Sequence, residues 1–197
     1  MDRDLSLMIE SFRDIPIVRI GDYDYFVHPL SDGIPEIRPD LLSAASVLVS
    51  GLLPESDGYD ILLTVESMGI PITTAVSSRV MKPYSIVRKR KYGLPGEIGT
   101  DQMTGYSFSE LHLNLPRGGG RAVLLDDVLS TGGTLKAVSE AASRSDWKIV
   151  QAIFLFNKMG DERGRLAGEL GFPLMSVLDL EYRNGRFEAA PSVNMPL

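Results

Sequence analysis

The sequence predicts an α/β protein built on an open, mostly parallel sheet with helices on both faces, and three observations carry that expectation. Short apolar runs rich in β-branched residues recur at 61–65, 84–87, 122–125, 149–156 and 174–178. Little polar alternation interrupts them, as expected of strands buried on both faces. Segments of helical character stand at 39–52, 69–79, 133–145 and 162–170, and strands alternating with helices at this spacing call for right-handed crossovers.

Bulk properties agree with this frame and narrow the function. A length of 197 residues suits one globular domain, 1–197, with an appendage. Hydrophobic residues at 44% and charged residues at 23% are ordinary for a soluble, core-forming chain. The absence of cysteine removes disulfides, thiolate metal sites and cysteine nucleophiles together, and fits a reducing, cytoplasmic setting. The first residues carry Asp2, Arg3 and Asp4 and do not read as a signal peptide. No apolar run approaches the roughly 18 residues that span a bilayer, so no membrane partner is expected. A net charge of −6 argues against nucleic acid as a partner.

Two regions depart from the alternation. Residues 14–38 hold Pro16, Gly21, Pro29, Gly33 and Pro35 among aromatics, and read as irregular strands and turns. Residues 91–120 hold Gly93, Pro95, Gly96, Gly99, Gly105 and three successive glycines at 118–120. The first part of that stretch reads as a mobile loop, with an antiparallel strand pair expected around 107–115. Asp161, Glu162, Arg163 and Arg165 read as a solvated helix face.

The strongest signal is residues 123–134. An apolar strand ends in Asp126 and Asp127, and Ser130, Thr131, Gly132, Gly133 and Thr134 then lead into a helix. Glycines let successive N–H groups turn towards one anion, and the helix N-terminus adds unpaired donors and a favourable dipole. The two carboxylates would repel that anion unless they accept hydrogen bonds from neighbouring hydroxyls or approach a divalent ion. Aspartate at a strand end also caps helices, but a cap does not call for two acids and a glycine nest. Neither the Walker pattern nor the dinucleotide glycine fingerprint is present here.

This segment resembles the phosphoribosyl pyrophosphate motif of the type I phosphoribosyltransferases, with its hydrophobic–Asp–Asp–x–x–Ser–Thr–Gly–Gly–Thr pattern. The resemblance implies the type I phosphoribosyltransferase fold, with Asp126 and Asp127 on the ribose hydroxyls and Ser130 to Thr134 on the 5′-phosphate. Glu66, Ser67, Met68 and Gly69 follow an apolar strand and are similar to the family's pyrophosphate loop. Read alone, those four residues are an ordinary strand–helix turn. Arg88, Lys89, Arg90 and Lys91 precede Tyr92–Gly93–Leu94–Pro95–Gly96–Glu97, which is similar to the start of the family's flexible catalytic loop, about 89–107. That implies Arg88 and Lys89 on the diphosphate, in part that of a neighbouring subunit, and hence a homodimer. Residues 14–38 resemble the small hood over the purine, with Phe26 stacking on the base and backbone near Val27 reading its edge. His28 reads as structural rather than as a metal ligand.

Tyr106 matches an aromatic of the mobile loop in adenine phosphoribosyltransferases, while Gly105 stands where those enzymes have an acid and Met68 where they usually have arginine. Glu97 and Asp101 read as solvated loop acids. Across about 16–186 the chain resembles most the archaeal hypoxanthine phosphoribosyltransferase group, through Tyr25-Phe26-Val27-His28-Pro29, Val65-Glu66-Ser67-Met68-Gly69-Ile70, Arg88-Lys89-Arg90 and Thr104-Gly105-Tyr106-Ser107. The implied reaction is purine salvage, making IMP from hypoxanthine or GMP from guanine, with Mg2+ carried by phosphoribosyl pyrophosphate rather than bound by protein ligands. Two rivals stay open: an adenine-specific enzyme, and a regulator of the same fold that senses the donor. Only about 15 residues precede the hood, which leaves little room for a DNA-binding extension.

Overall fold

The computed structural model describes residues 2–21, 23–103, 108–193 and 195. At its centre is a six-stranded sheet containing all five expected strands: β3 (Ile61–Val65), β4 (Tyr84–Val87), β7 (Gly120–Leu129), β8 (Trp147–Asn157) and β9 (Leu174–Arg183). These five run parallel, and β10 (Arg186–Pro191) closes one edge antiparallel to β9, giving the order β10-β9-β8-β7-β3-β4. β7 continues four residues beyond its apolar run, because Asp126, Val128 and Leu129 pair with Phe154, Phe156 and Asn157 of β8. A ladder is held by backbone groups, so two acidic side chains do not end it.

The helices 39–50 (α3), 69–80 (α4), 133–143 (α5) and 162–170 (α6) lie where expected, with α3 and α5 about two residues shorter. Alternation along β7 shows how both faces are covered. Val123 and Leu125 pack with Leu41 and Leu48 of α3 and Ile72 and Val76 of α4. Ala122 and Leu124 pack with Leu135 and Val138 of α5 and Leu166 of α6. An added helix, α1 (Asp2–Glu10), buries Met8 in the first of these cores.

The topology places the site. β4 follows β3 outward on one side, whereas β7 returns to the other side of β3, so the strand order reverses between β3 and β7. The helices after these strands, α4 and α5, go to opposite faces, and their opening loops diverge at the C-terminal sheet edge. Such a switch point leaves a crevice.

Residues 14–38 form a hairpin of β1 (Ile17–Ile20) and β2 (Tyr23–Phe26), followed by the one-turn helix α2 (Pro29–Asp32). The second irregular region differs from expectation. Its antiparallel pair is β5 (Ile98–Met103) with β6 (Phe108–Leu113), so the first strand lies inside the stretch read as loop. Arg163 also differs: it is 8% exposed, its guanidinium bonded to Ser176, to Ser192 at 2.9 Å and to Asp179 at 3.2 Å. Charged neighbours in sequence hid a residue that ties α6 to β9 and the chain beyond β10.

Candidate active site

At the end of β7 the chain turns through Ser130 and Thr131 to Gly132, which adopts φ 74° before α5 begins at Gly133. The positive φ favours glycine there, and a Cβ, 2.6 Å from Leu166 Cδ2, would also oblige that side chain to shift. The first helical bond of α5 runs from Lys136 N–H to Gly132 O at 2.9 Å. The N–H groups of the turn before it lie outside the helix's own hydrogen-bond ladder, and that of Gly133 reaches Thr131 Oγ1 at 3.5 Å. The loop is pinned from behind by Lys158 N–H on Leu129 O, at 2.8 Å.

Asp126 and Asp127 sit beside that loop with their carboxyls in hydrogen-bond contact, and Asp127 N–H also donates to Asp126 Oδ1 at 3.0 Å. Asp126 Oδ1 lies where a Cβ on Gly69 would come within 2.7 Å, and the positive charge of Lys89 acts on it. Asp127 is acted on instead by the charge of Asp32 in the hood. Removal from water, then the neighbouring Asp127 charge, raises Asp126 well above the usual carboxylate range. Removal from water likewise raises Asp127, to about 6. Two carboxylates held this way gain from hydroxyl donors or from a nearby cation, as the motif required.

On the β3 side, Gly69 opens α4 in a space with no room for a side chain, since a Cβ would also meet Thr64 Oγ1 at 2.3 Å. Glu66 is engaged with the cationic run: Arg88 Nε is 3.1 Å from Glu66 Oε2, and Lys89 N–H donates to Glu66 Oε1. The Arg88 contact is close but poorly aligned, leaving Nε as a buried donor without a hydrogen bond. An anion arriving at Arg88 and Lys89 therefore meets donors now turned to a carboxylate. Met68 reaches the hood, its Cε 3.7 Å from the Cβ position of Gly33.

The hood is a rigid polar turn. Asp32 accepts hydrogen bonds from Tyr25 OH at 2.7 Å, His28 N–H at 2.8 Å and Ser31 Oγ at 2.7 Å. His28 is fully buried; Nδ1 accepts Leu30 N–H at 3.1 Å, so Nε2 carries the proton towards Ser11 Oγ at 2.8 Å. Burial lowers its pKa to about 4, against a smaller opposing pull from Asp32, so the ring is neutral at pH 7. Phe26, expected to stack on a base, belongs to the core instead. It is 3% exposed and packed edge-on against Phe12, Phe156 and Phe187. The Val27 N–H is taken by Pro16 O at 2.9 Å, so it does not read a base edge. Tyr106 lies outside the described residues.

Lys158 was missed in the sequence reading. It directly follows β8, and its Nζ stands 5.3 Å from the Phe26 ring centre and 4.8 Å from that of Phe187. The available signal was a lysine two residues after the apolar run 149–156, since ligands of open α/β sheets gather at strand C-termini. Glu97 was misread: its side chain is 5% exposed and paired with His112 Nδ1 at 3.1 Å. Only tertiary pairing across β5 and β6 reveals that contact.

Comparison with known proteins agrees with this geometry. Residues 44–172 match the model of the phosphoribosyl transferase domain family. Curated relatives named hypoxanthine/guanine phosphoribosyltransferase include that of Methanothermobacter thermautotrophicus, 42% identical over 184 residues, covering 92% of this chain and 93% of that protein. That of Methanocella paludicola is 40% identical over 178 residues, covering 90% and 91%. Among solved structures, adenine phosphoribosyltransferases from Thermoanaerobacter pseudethanolicus (TM-score 0.68, 19% identity, 89% of this chain and 99% of that one) and Saccharomyces cerevisiae (TM-score 0.70, 16%, 89% and 99%) share the fold. The acidic pair, the glycine turn and the match over most of the chain place this protein in the phosphoribosyltransferase family, within the group of hypoxanthine/guanine phosphoribosyltransferases.

Proposed function

We propose that this chain is a purine salvage phosphoribosyltransferase that moves the phosphoribosyl group of phosphoribosyl pyrophosphate onto hypoxanthine or guanine. One observation carries the reading: two loops suited to anions, 66–69 and 130–134, flank a partly buried Asp–Asp pair at the strand-order reversal between β3 and β7. A donor with a 5′-phosphate at one end, a diphosphate at the other and two hydroxyls between them matches that spacing of functions.

In this reading Ser130 to Thr134 hold the 5′-phosphate, Asp126 and Asp127 accept the ribose hydroxyls, and Glu66 to Gly69 form the diphosphate wall. A purine ring nitrogen forms a bond to the ribose C1 as the C1–O bond to diphosphate breaks, and pyrophosphate leaves with the bonding electrons. Positive charge grows on the ribose, and the Asp pair stabilises it where water is scarce. Arg88 and Lys89 release Glu66 and bind the departing diphosphate, for which guanidinium and ammonium donors are suited. The donor set fits Mg2+: carboxylates raised by burial and by each other gain from a cation carried in on the donor. When bound, the ion supplies charge neutralisation and orientation of the leaving group. The 89–97 part of the expected loop, before β5, covers the reactants and keeps water out, and a second copy completes the diphosphate site in a cytoplasmic homodimer.

Lys158 supports the choice of base. Its ammonium offers only donors, so from the β8 end beside the hood it suits the 6-oxo group of hypoxanthine or guanine and not the 6-amino group of adenine. The test is a panel of purines with Mg2+ and donor. Hypoxanthine and guanine should release pyrophosphate with adenine at least about 100-fold poorer, and EDTA should stop turnover until Mg2+ is restored. Absence of pyrophosphate release with every base would sink the reading. Preference for adenine would overturn the base assignment alone.

A further inference from the structure

The segment that carries Arg88 and Lys89 leaves the six-stranded sheet after β4 and enters the separate β5–β6 pair at β5, and one residue of β6 holds both of its ends. Arg88 and His112 exchange backbone hydrogen bonds, Arg88 N–H to His112 O at 2.9 Å and His112 N–H to Arg88 O at 2.7 Å. At the other end, Glu97 Oε1 lies 3.1 Å from Nδ1 of the same His112, whose Nε2 faces Glu110 Oε2 at 3.5 Å. The Glu97 carboxylate also gathers the turn around itself. It accepts Tyr92 N–H at 3.0 Å and Leu94 N–H at 3.3 Å, while Glu97 N–H donates to Leu94 O at 3.0 Å.

The burial pattern is the reverse of a solvated loop. Tyr92 and Leu94 are about half exposed, yet the acid and imidazole beneath them are 5% and 2% exposed. Burial by itself would push the Glu97 carboxyl up; the N–H donors of Leu94, Tyr92 and Gly93 and the His112 ring outweigh it and hold the group below its usual range. A carboxylate withdrawn from water and given several donors orders the chain that supplies them. Without it, segment 88–97 would be held to the rest of the protein chiefly at its start, by the Arg88–His112 backbone pair and the Glu66 contacts of Arg88 and Lys89.

We propose that Glu97 and His112 are positioning residues for the donor site, forming a clasp that sets the 88–97 segment so that Arg88 and Lys89 meet the diphosphate. The proposal rests on the phosphoribosyltransferase reading, and deepens it by making donor affinity depend on a contact that touches no substrate. It also explains why an acid and a histidine are buried under an exposed turn.

The test pairs limited trypsin digestion at 88–91 with steady-state kinetics, on the full-length protein carrying Glu97→Gln, His112→Ala or His112→Asn. The first two should speed cleavage about 10-fold and raise the KM for phosphoribosyl pyrophosphate about 10-fold, with the hypoxanthine KM within about twofold of wild type. His112→Asn, which returns a nitrogen donor near the Nδ1 position, should recover most of both losses. Should His112→Ala fail to fold, Glu97→Gln and His112→Asn decide the matter between them. Cleavage and donor KM unchanged in Glu97→Gln, or a hypoxanthine KM that rises as much as the donor KM, overturns the clasp. A wild-type protein without turnover sinks the enzyme reading instead, and the cleavage rates then judge the clasp alone.

Discussion

The two halves of this site, proposed for the 5′-phosphate and for the diphosphate, are built in opposite ways. The 5′-phosphate half is local: one strand end, one glycine turn and one helix N-terminus, all within 123–134 and backed by Leu166. The diphosphate half is assembled from distant pieces, with Glu66 after β3, Arg88 and Lys89 after β4, and Glu97 and His112 behind them. A local site is set by backbone conformation and tolerates little substitution. An assembled site is set by side-chain pairing, so single changes should shift its affinity by degrees rather than abolish it.

The sharpest break should come at the shared acids. Asp127→Asn should lower kcat/KM by about 10³-fold, the scale of losing a group that stabilises transition-state charge. The same change should stabilise the free protein. Because the folded pKa of Asp127 is raised to about 6, the unfolded chain ionises first as pH rises, and native stability falls between about pH 4 and 6. Asparagine avoids that loss. Its melting temperature should exceed wild type at pH 7, with the gap closing as pH falls towards 4; calorimetry across that range checks it.

Next comes Gly132→Ala, where φ 74° and the 2.6 Å approach of Leu166 act together. A destabilisation of about 1–3 kcal/mol is expected in urea titration, with 5′-phosphate affinity falling more than 10-fold. In the assembled half, Arg88→Ala should raise donor KM about 10–30-fold while the purine KM hardly moves. Glu66→Gln is the discriminating partner. If Glu66 competes for the donors at Arg88 and Lys89, its loss should tighten donor binding about two- to threefold, as read by titration with pyrophosphate and Mg2+.

The smallest effect on activity concerns the hood, where the readout is stability. His28 is lowered to about 4 when folded, so the unfolded chain takes up its proton first as pH drops. Stability is full above about 6.5 and falls as pH descends to about 4, by on the order of 3 kcal/mol. That trend opposes the Asp127 effect in the same window. It should therefore be clearest in thermal melts of an Asp126→Asn, Asp127→Asn double variant.

Much of this molecule was legible before any coordinates. Buried parallel strands need apolar residues on both faces, so β3 and β4 were bounded to the residue by hydrophobicity alone. The phosphate loop was legible because its chemistry is written in consecutive residues. What misled were features whose meaning depends on distant neighbours. Phe26 reads as a base platform until Phe12, Phe156 and Phe187 enclose it. Arg163 reads as solvated until Ser176, Asp179 and Ser192 surround its guanidinium, and β10 is too polar to stand out without β9 beside it.

By itself, then, the amino-acid sequence determined the sheet, its covering helices and the Asp126–Asp127 loop, because periodicity, glycine freedom and helix-end donors act over a few adjacent residues. The tertiary structure alone decided which side chains face the crevice. It brought the Lys89 charge to bear on Asp126 and the Asp32 charge on Asp127, set Lys158 over the Phe26 and Phe187 rings, and buried Glu97 against His112. Desolvation and ion pairing depend on what surrounds a group in space, which chain order does not specify.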